Sequence, residues 1–145
     1  MCAVRLQVNR AGEGVGVVVH LHKRGHYAST YMLTLLEKLA RKFTRVKFVS
    51  IGHTECIHNY PERNLPTLLI YKNDDLLRQC VGVGAFGGVS YGIDDVEWEL
   101  AQVGVVDTEL EKNPHAERTL LGRVLLPCCH LPSYFQHASF EAPQA

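Results

Sequence analysis

Two periods organise the apolar positions of this chain. Val15 to His22 is a continuous, β-branched run, the pattern of a strand covered on both faces. Met32, Leu35, Leu36, Leu39, Ala40 and Phe43 then recur at helical spacing. Ser29 or Thr30 is the expected cap of this helix, because a hydroxyl accepts from the free N–H groups of a first turn. Lys38, Arg41 and Lys42 fall in its last turns, where cations suit the carbonyl end of the helix dipole. Val46 to Ile51 reads as a second short strand. Strand, helix, strand at this spacing is a βαβ unit, which implies a parallel pair and a right-handed crossover.

The stretch from His53 to Tyr60 is polar and has room for one helical turn before Pro61 ends it. Thr67 to Lys72 and Leu76 to Val83 are strand-like runs separated by Asn73-Asp74-Asp75, the signal of an antiparallel hairpin. Gly82 to Gly92 is glycine-rich and reads as a loop. Asp94 or Asp95 then caps a helix with Val96, Leu100 and Val103 on one side, Trp98 beside them and Gly104 closing it. Val4 to Ala11 is a helix end or an irregular lead-in, broken by Gly12, Gly14 and Gly16. Leu120 to Leu126 would extend a helix up to Pro127, and Pro132 to Ala145 is expected to be poorly ordered.

This order of elements is that of an α/β, thioredoxin-like domain: a central mixed β-sheet flanked by helices. A redox enzyme on that plan needs a Cys-x-x-Cys at the mouth of the first helix. Here the stretch is His22-Lys23-Arg24-Gly25-His26-Tyr27-Ala28-Ser29-Thr30, and the two positions fall at His26 and Ser29. Thiol–disulfide exchange requires a low-pKa thiolate and a resolving thiol. The scaffold therefore points to binding. Leu65-Pro66-Thr67 stands just before a strand and opposite the first helix, so Pro66 is expected to be cis and to shape the loop face without chemistry.

Composition narrows the function classes. At 145 residues the chain fits one domain with a sizeable core. Fifteen Lys and Arg balance fifteen Asp and Glu, which argues against a nucleic-acid binder. No apolar run is long enough to span a bilayer, and the start has no signal-peptide architecture, so a cytoplasmic location is expected. The cysteines Cys2, Cys56, Cys80, Cys128 and Cys129 form no framework and read as reduced thiols.

The chemically suggestive clusters each have a plainer reading. Cys128-Cys129-His130 lacks zinc-ligand spacing and reads as an incidental tail. His20 and His22 share one strand face, but with His26, His53 and His58 they lack carboxylate or thiol partners at matching offsets, so no metal is expected. Gly82 to Gly88 follows an antiparallel strand and lacks the strand–turn–helix setting that cradles phosphate, so no cofactor is expected. Asp107-Thr108-Glu109-Leu110-Glu111 reads as a solvated acidic edge.

Several ordered blocks together resemble the C-terminal thioredoxin-like domain of phosducin-like proteins, closest to the phosducin-like 2/3 branch. They are Leu39-Ala40-Arg41-Lys42-Phe43, Val46-Lys47-Phe48-Val49, and Cys56-Ile57-His58-Asn59-Tyr60-Pro61-Glu62-Arg63-Asn64-Leu65-Pro66-Thr67. Phe86-Gly87-Gly88, Glu97-Trp98-Glu99-Leu100 and Thr108-Glu109-Leu110-Glu111-Lys112-Asn113-Pro114 continue the likeness, which covers residues 11–114. The resemblance implies a non-catalytic co-chaperone that assists protein folding with the cytosolic chaperonin. Implied clients include actin, tubulin or G-protein β subunits, with G-protein βγ as a further partner. It also implies a domain over residues 1–114 and a divergent, partly disordered tail over residues 115–145. Two departures accompany it. The family's long acidic helical N-terminal region is missing, and Leu120 to Leu131 is apolar where the family tail is charged. The alternatives are a divergent thiol-dependent redox enzyme using Cys56 or Cys80, and a truncated product without co-chaperone activity.

Overall fold

The computed structural model describes residues 8–116. Four strands, β1 (Gly16–His22), β2 (Lys47–Gly52), β3 (Thr67–Lys72) and β4 (Asp75–Val81), form one mixed sheet in the order β2-β1-β3-β4. β1 pairs parallel to β2 and antiparallel to β3, and β3 pairs antiparallel to β4. Helix α1 (Tyr27–Lys42) supplies the crossover between the parallel pair, α2 (His53–Cys56) follows β2, and α3 (Ile93–Gln102) follows the hairpin. The chain is thus an α/β, thioredoxin-like arrangement, as its apolar periods predict.

β1 is central, and side-chain alternation divides its residues between two cores. Val18 joins Met32, Leu35, Leu36 and Leu39 of α1, Val96 and Leu100 of α3, Leu68 and Ile70 of β3, and Phe86. Val17, Val19 and Leu21 face the other way, onto Val8, Ile51, Leu65 and Leu69. A strand buried on both faces needs apolar residues at consecutive positions, which is why Val15 to His22 shows no alternation. Gly16 opens it because Val105 leaves no room for a side chain: a Cβ there would lie 2.4 Å from Val105 Cγ1.

The β3–β4 turn carries Asn73 and Asp74 at φ 51° and 66°, the left-handed pair that matches strand twist in a two-residue hairpin. Asn73 Oδ1 also accepts from the Gly14 backbone N–H at 2.7 Å, which ties the lead-in to the turn.

Several local expectations need correction. The cap of α1 is His26; Ser29 and Thr30 lie inside the first turn. The cap of α3 is Gly92, whose N–H donates to Asp95 Oδ2 at 2.7 Å, so Asp95 acts from the third helical position. The segment from Gly82 to Gly92 contains a 3-10 turn, Val83–Phe86, because Phe86 is a fully buried anchor within the glycines. β4 begins at Asp75 and ends at Val81. The polar stretch holds α2 and, beyond Pro61, a second short turn, Glu62–Asn64. The expected helix at Leu120–Leu126, the Cys128-Cys129-His130 cluster and the C-terminal tail lie outside the described residues.

Candidate functional site

The mouth of α1, where this fold carries its thiol pair in redox enzymes, is built by a turn between β1 and the helix. Gly25 at φ 76° takes a left-handed conformation that disfavours a side chain, and the chain re-enters at His26 in an extended conformation. His26 Nδ1 accepts from the Ser29 backbone N–H at 3.2 Å and lies 3.0 Å from Ser29 Oγ. The His26 carbonyl takes the Thr30 N–H at 3.1 Å and the Thr30 hydroxyl at 3.2 Å. The first-turn N–H of Ser29 is therefore satisfied by the His26 side chain. Ser29 is 2 % exposed, whereas its neighbour Tyr27 stands 85 % exposed at the same mouth.

Facing this turn is the segment that leads into β3. The Leu65–Pro66 peptide is cis, and Pro66 is buried. The Gly82 N–H is shared between the Pro66 carbonyl at 2.9 Å and the Asn64 carbonyl at 3.1 Å. Tyr60 OH donates to Thr67 Oγ1 at 2.7 Å, and Thr67 Oγ1 donates to the Asn64 carbonyl at 2.6 Å. Lys23 Nζ meets Glu62 Oε1 at 2.6 Å across the gap and holds the Glu62 carboxyl below the usual carboxylate range. His53 Nδ1 donates to the His22 carbonyl at 3.2 Å and ties α2 to the end of β1. The result is a surface braced by hydrogen bonds and an ion pair between its own segments.

The described thiols are not placed for exchange with each other. Cys56 packs with the core on the Val17 face, and Cys80 is buried in the core on the Val18 face. The sheet separates them. Burial pushes the Cys80 thiol up to about 11, with Glu99 adding to the effect. Cys2, Cys128 and Cys129 lie outside the described residues.

The histidine pair on β1 is packed. His20 and His22 have ring centroids 5.9 Å apart. His20 is 0 % exposed, and its Nδ1 lies 3.3 Å from Ser50 Oγ, while Nε2 has no hydrogen-bond partner. Burial first, and the nearby His22 second, lower its pKa from 6.5 to about 4, so the ring is neutral at physiological pH. Among the described residues no group of three or more His, Cys, Asp or Glu side chains is placed to hold a metal. No helix among them is long and apolar enough to cross a membrane.

One polar cluster had no sequence signal. Glu97 on α3 is 2 % exposed and takes Lys42 Nζ through both carboxylate oxygens at 2.9 Å. Thr108 Oγ1 donates to Glu97 Oε1 at 2.5 Å and accepts from the Leu110 N–H at 3.2 Å. This network ties the end of α1, the middle of α3 and the acidic segment together. Thr108 therefore faces inward, and Asp107, Glu109 and Glu111 face out. The acidic edge is solvated, yet it is anchored through that one hydroxyl.

No protein-family profile matches the chain. The chain is 43% identical over 111 residues to phosducin-like protein 3 of Danio rerio, covering 77% of this chain and 46% of that protein. It is 44% identical over 108 residues to phosducin-like protein 3 of Mus musculus, covering 74% of this chain and 45% of that protein. The chain belongs to the phosducin-like family. Phosducin-like protein 2 of Dictyostelium discoideum is 42% identical over 102 residues, or 70% of this chain and 43% of that protein. The chain spans about half the length of the curated relatives it matches.

Proposed function

We propose that this chain is a non-catalytic co-chaperone module of the phosducin-like kind, assisting protein folding with the cytosolic chaperonin in the cytoplasm. Actin, tubulin and G-protein β subunits are the clients this reading favours, with G-protein βγ as a further partner. One observation carries it: the helix mouth of a thioredoxin-like fold is filled by a His26–Ser29 cap in a chain of the phosducin-like family. A capped and braced mouth is suited to docking, because loops held on a rigid sheet bind without an ordering cost. Tyr27, a large amphipathic side chain exposed beside that cap, is the natural anchor for a partner.

The test is affinity capture from cytosol with the tagged chain, compared with its Tyr27→Ala variant. Recovery of chaperonin subunits by the parent chain, reduced in the variant, supports the module. No chaperonin subunit recovered, under conditions where a full-length phosducin-like protein 3 recovers them, contradicts it. Insulin disulfide reduction at a rate comparable to thioredoxin contradicts the non-catalytic part separately.

A further inference from the structure

The acidic segment after α3 contains a hydroxyl that docking at the helix mouth does not use. Residues 107–111 belong to no helix or strand, and exposure alternates along them: Asp107, Glu109 and Glu111 are exposed, Thr108 and Leu110 half-buried. That alternation is the mark of an extended chain lying on a surface. Thr108 Oγ1 holds the segment down by donating to Glu97 Oε1 at 2.5 Å, and it accepts from the Leu110 N–H at 3.2 Å.

Thr108 is also flanked by charge of one sign. Asp107 precedes it, Glu109 follows it, and Glu111 stands three residues on. No other serine or threonine of the sequence has acids at all three of these positions. Thr34 has only Glu37, and it lies inside α1 with its hydroxyl on the Thr30 carbonyl. Thr54 has only Glu55. An extended backbone with exposed carboxylates beside a hydroxyl suits a protein kinase whose substrate groove is basic.

We propose that Thr108 is a phosphorylation site for an acid-directed serine/threonine kinase, and that the phosphate releases the segment from α3. In the transfer, Thr108 Oγ1 attacks the γ-phosphorus of kinase-bound MgATP. Its proton passes to the kinase's base, and the bond from the γ-phosphorus to the β,γ-bridging oxygen breaks to leave ADP. The product carries close to two negative charges where a hydroxyl had donated a hydrogen bond. It faces Glu97, which is 2 % exposed and already holds Lys42 Nζ through both carboxylate oxygens. One ammonium cannot neutralise a buried carboxylate and a phosphate dianion together, so repulsion lifts residues 107–111 off the Lys42–Glu97 pair. The hydroxyl must leave Glu97 before it can react, so the same network gates the transfer. None of this depends on which protein docks at the helix mouth.

The experiment incubates the full 145-residue chain with MgATP and an acid-directed kinase, in parallel with a base-directed one, and reads the product by site-resolved mass spectrometry. The acid-directed kinase should place a phosphate on Thr108, and the base-directed one should place none there. A Glu109→Gln/Glu111→Gln variant, altered at two exposed positions, should keep its circular dichroism and react about tenfold more slowly. Glu97→Gln, which weakens the hold on Thr108, should react several-fold faster. The phosphorylated parent should unfold about 5 °C below the unmodified chain, and phosphorylation of the Glu97→Gln variant should cost less. No phosphate on Thr108 of the native chain, unchanged rates in the glutamine variants, or an equal loss of stability with and without the Glu97 charge would each overturn the proposal.

Discussion

His26 Nδ1 lies 3.2 Å from the Ser29 backbone nitrogen and 3.0 Å from its hydroxyl, so the two residues at the helix mouth complete each other's hydrogen bonding. The cap is also what fixes where α1 begins, since the His26 carbonyl takes both donors of Thr30.

Removing the imidazole should therefore cost stability at one place. His26→Ala leaves the Ser29 N–H of the first turn without its acceptor, at about 1 kcal/mol, while His26→Asp supplies another cap oxygen and should recover most of it. Urea denaturation of the three proteins checks this. An alanine variant as stable as the parent would mean that the cap contributes nothing.

Buried His20 makes stability fall in mild acid. Its folded pKa of about 4 lies below the ordinary 6.5 of an unfolded chain. The unfolded state therefore binds the extra proton between these values, and stability declines as pH drops from 6.5 towards 4. The full effect is about 3 kcal/mol, complete above the upper value and lost below the lower one. His20→Leu removes the titrating ring from the core, and its denaturation midpoint should be flatter over that window. Carboxylates contribute equally to both proteins, so the difference between the two profiles is the readout.

The Lys42–Glu97 pair should respond asymmetrically. Lys42 is half in solvent, whereas the Glu97 side chain is buried. Lys42→Ala leaves a buried carboxylate with only Thr108 to compensate it and should cost about 2 kcal/mol. Glu97→Gln keeps an acceptor for Thr108 and frees Lys42 into water, so it should cost less, about 1 kcal/mol. Thermal unfolding ranks the two, and a glutamine variant less stable than the lysine deletion would contradict this account.

Cys80 should be inert while the protein is folded. With its thiol pushed up to about 11, only about one in a thousand is ionised at pH 8. Iodoacetamide should label Cys56 long before Cys80, and Cys80 should react only on denaturation. Site-resolved mass spectrometry reads both, and fast labelling of Cys80 in the native protein would place it in a reactive setting.

Much of the fold was legible because it rests on long apolar periods and special turns. The unbroken run at β1, the helical spacing from Met32 to Phe43, and Asn73-Asp74 between two strands each have a single physical reading. The caps were less legible. Ser29 and Thr30 are better cap residues than His26 by type, but the left-handed turn at Gly25 starts the helix earlier and buries Ser29 inside it. Phe86 was hidden by its glycines, although one large aromatic among them is itself a sign of an anchored turn. Glu97 carried no sequence signal of burial. Its burial depends on Lys42, 55 residues away, and on Thr108, which no local pattern connects to it.

The central claim is a docking module built on a redox-shaped scaffold, and a binding titration with purified cytosolic chaperonin tests it most directly. The account predicts a saturable complex that Tyr27→Ala weakens, formed equally well after the accessible cysteines are alkylated under native conditions. No complex at concentrations where full-length phosducin-like protein 3 binds, or a complex abolished by alkylation, would contradict it.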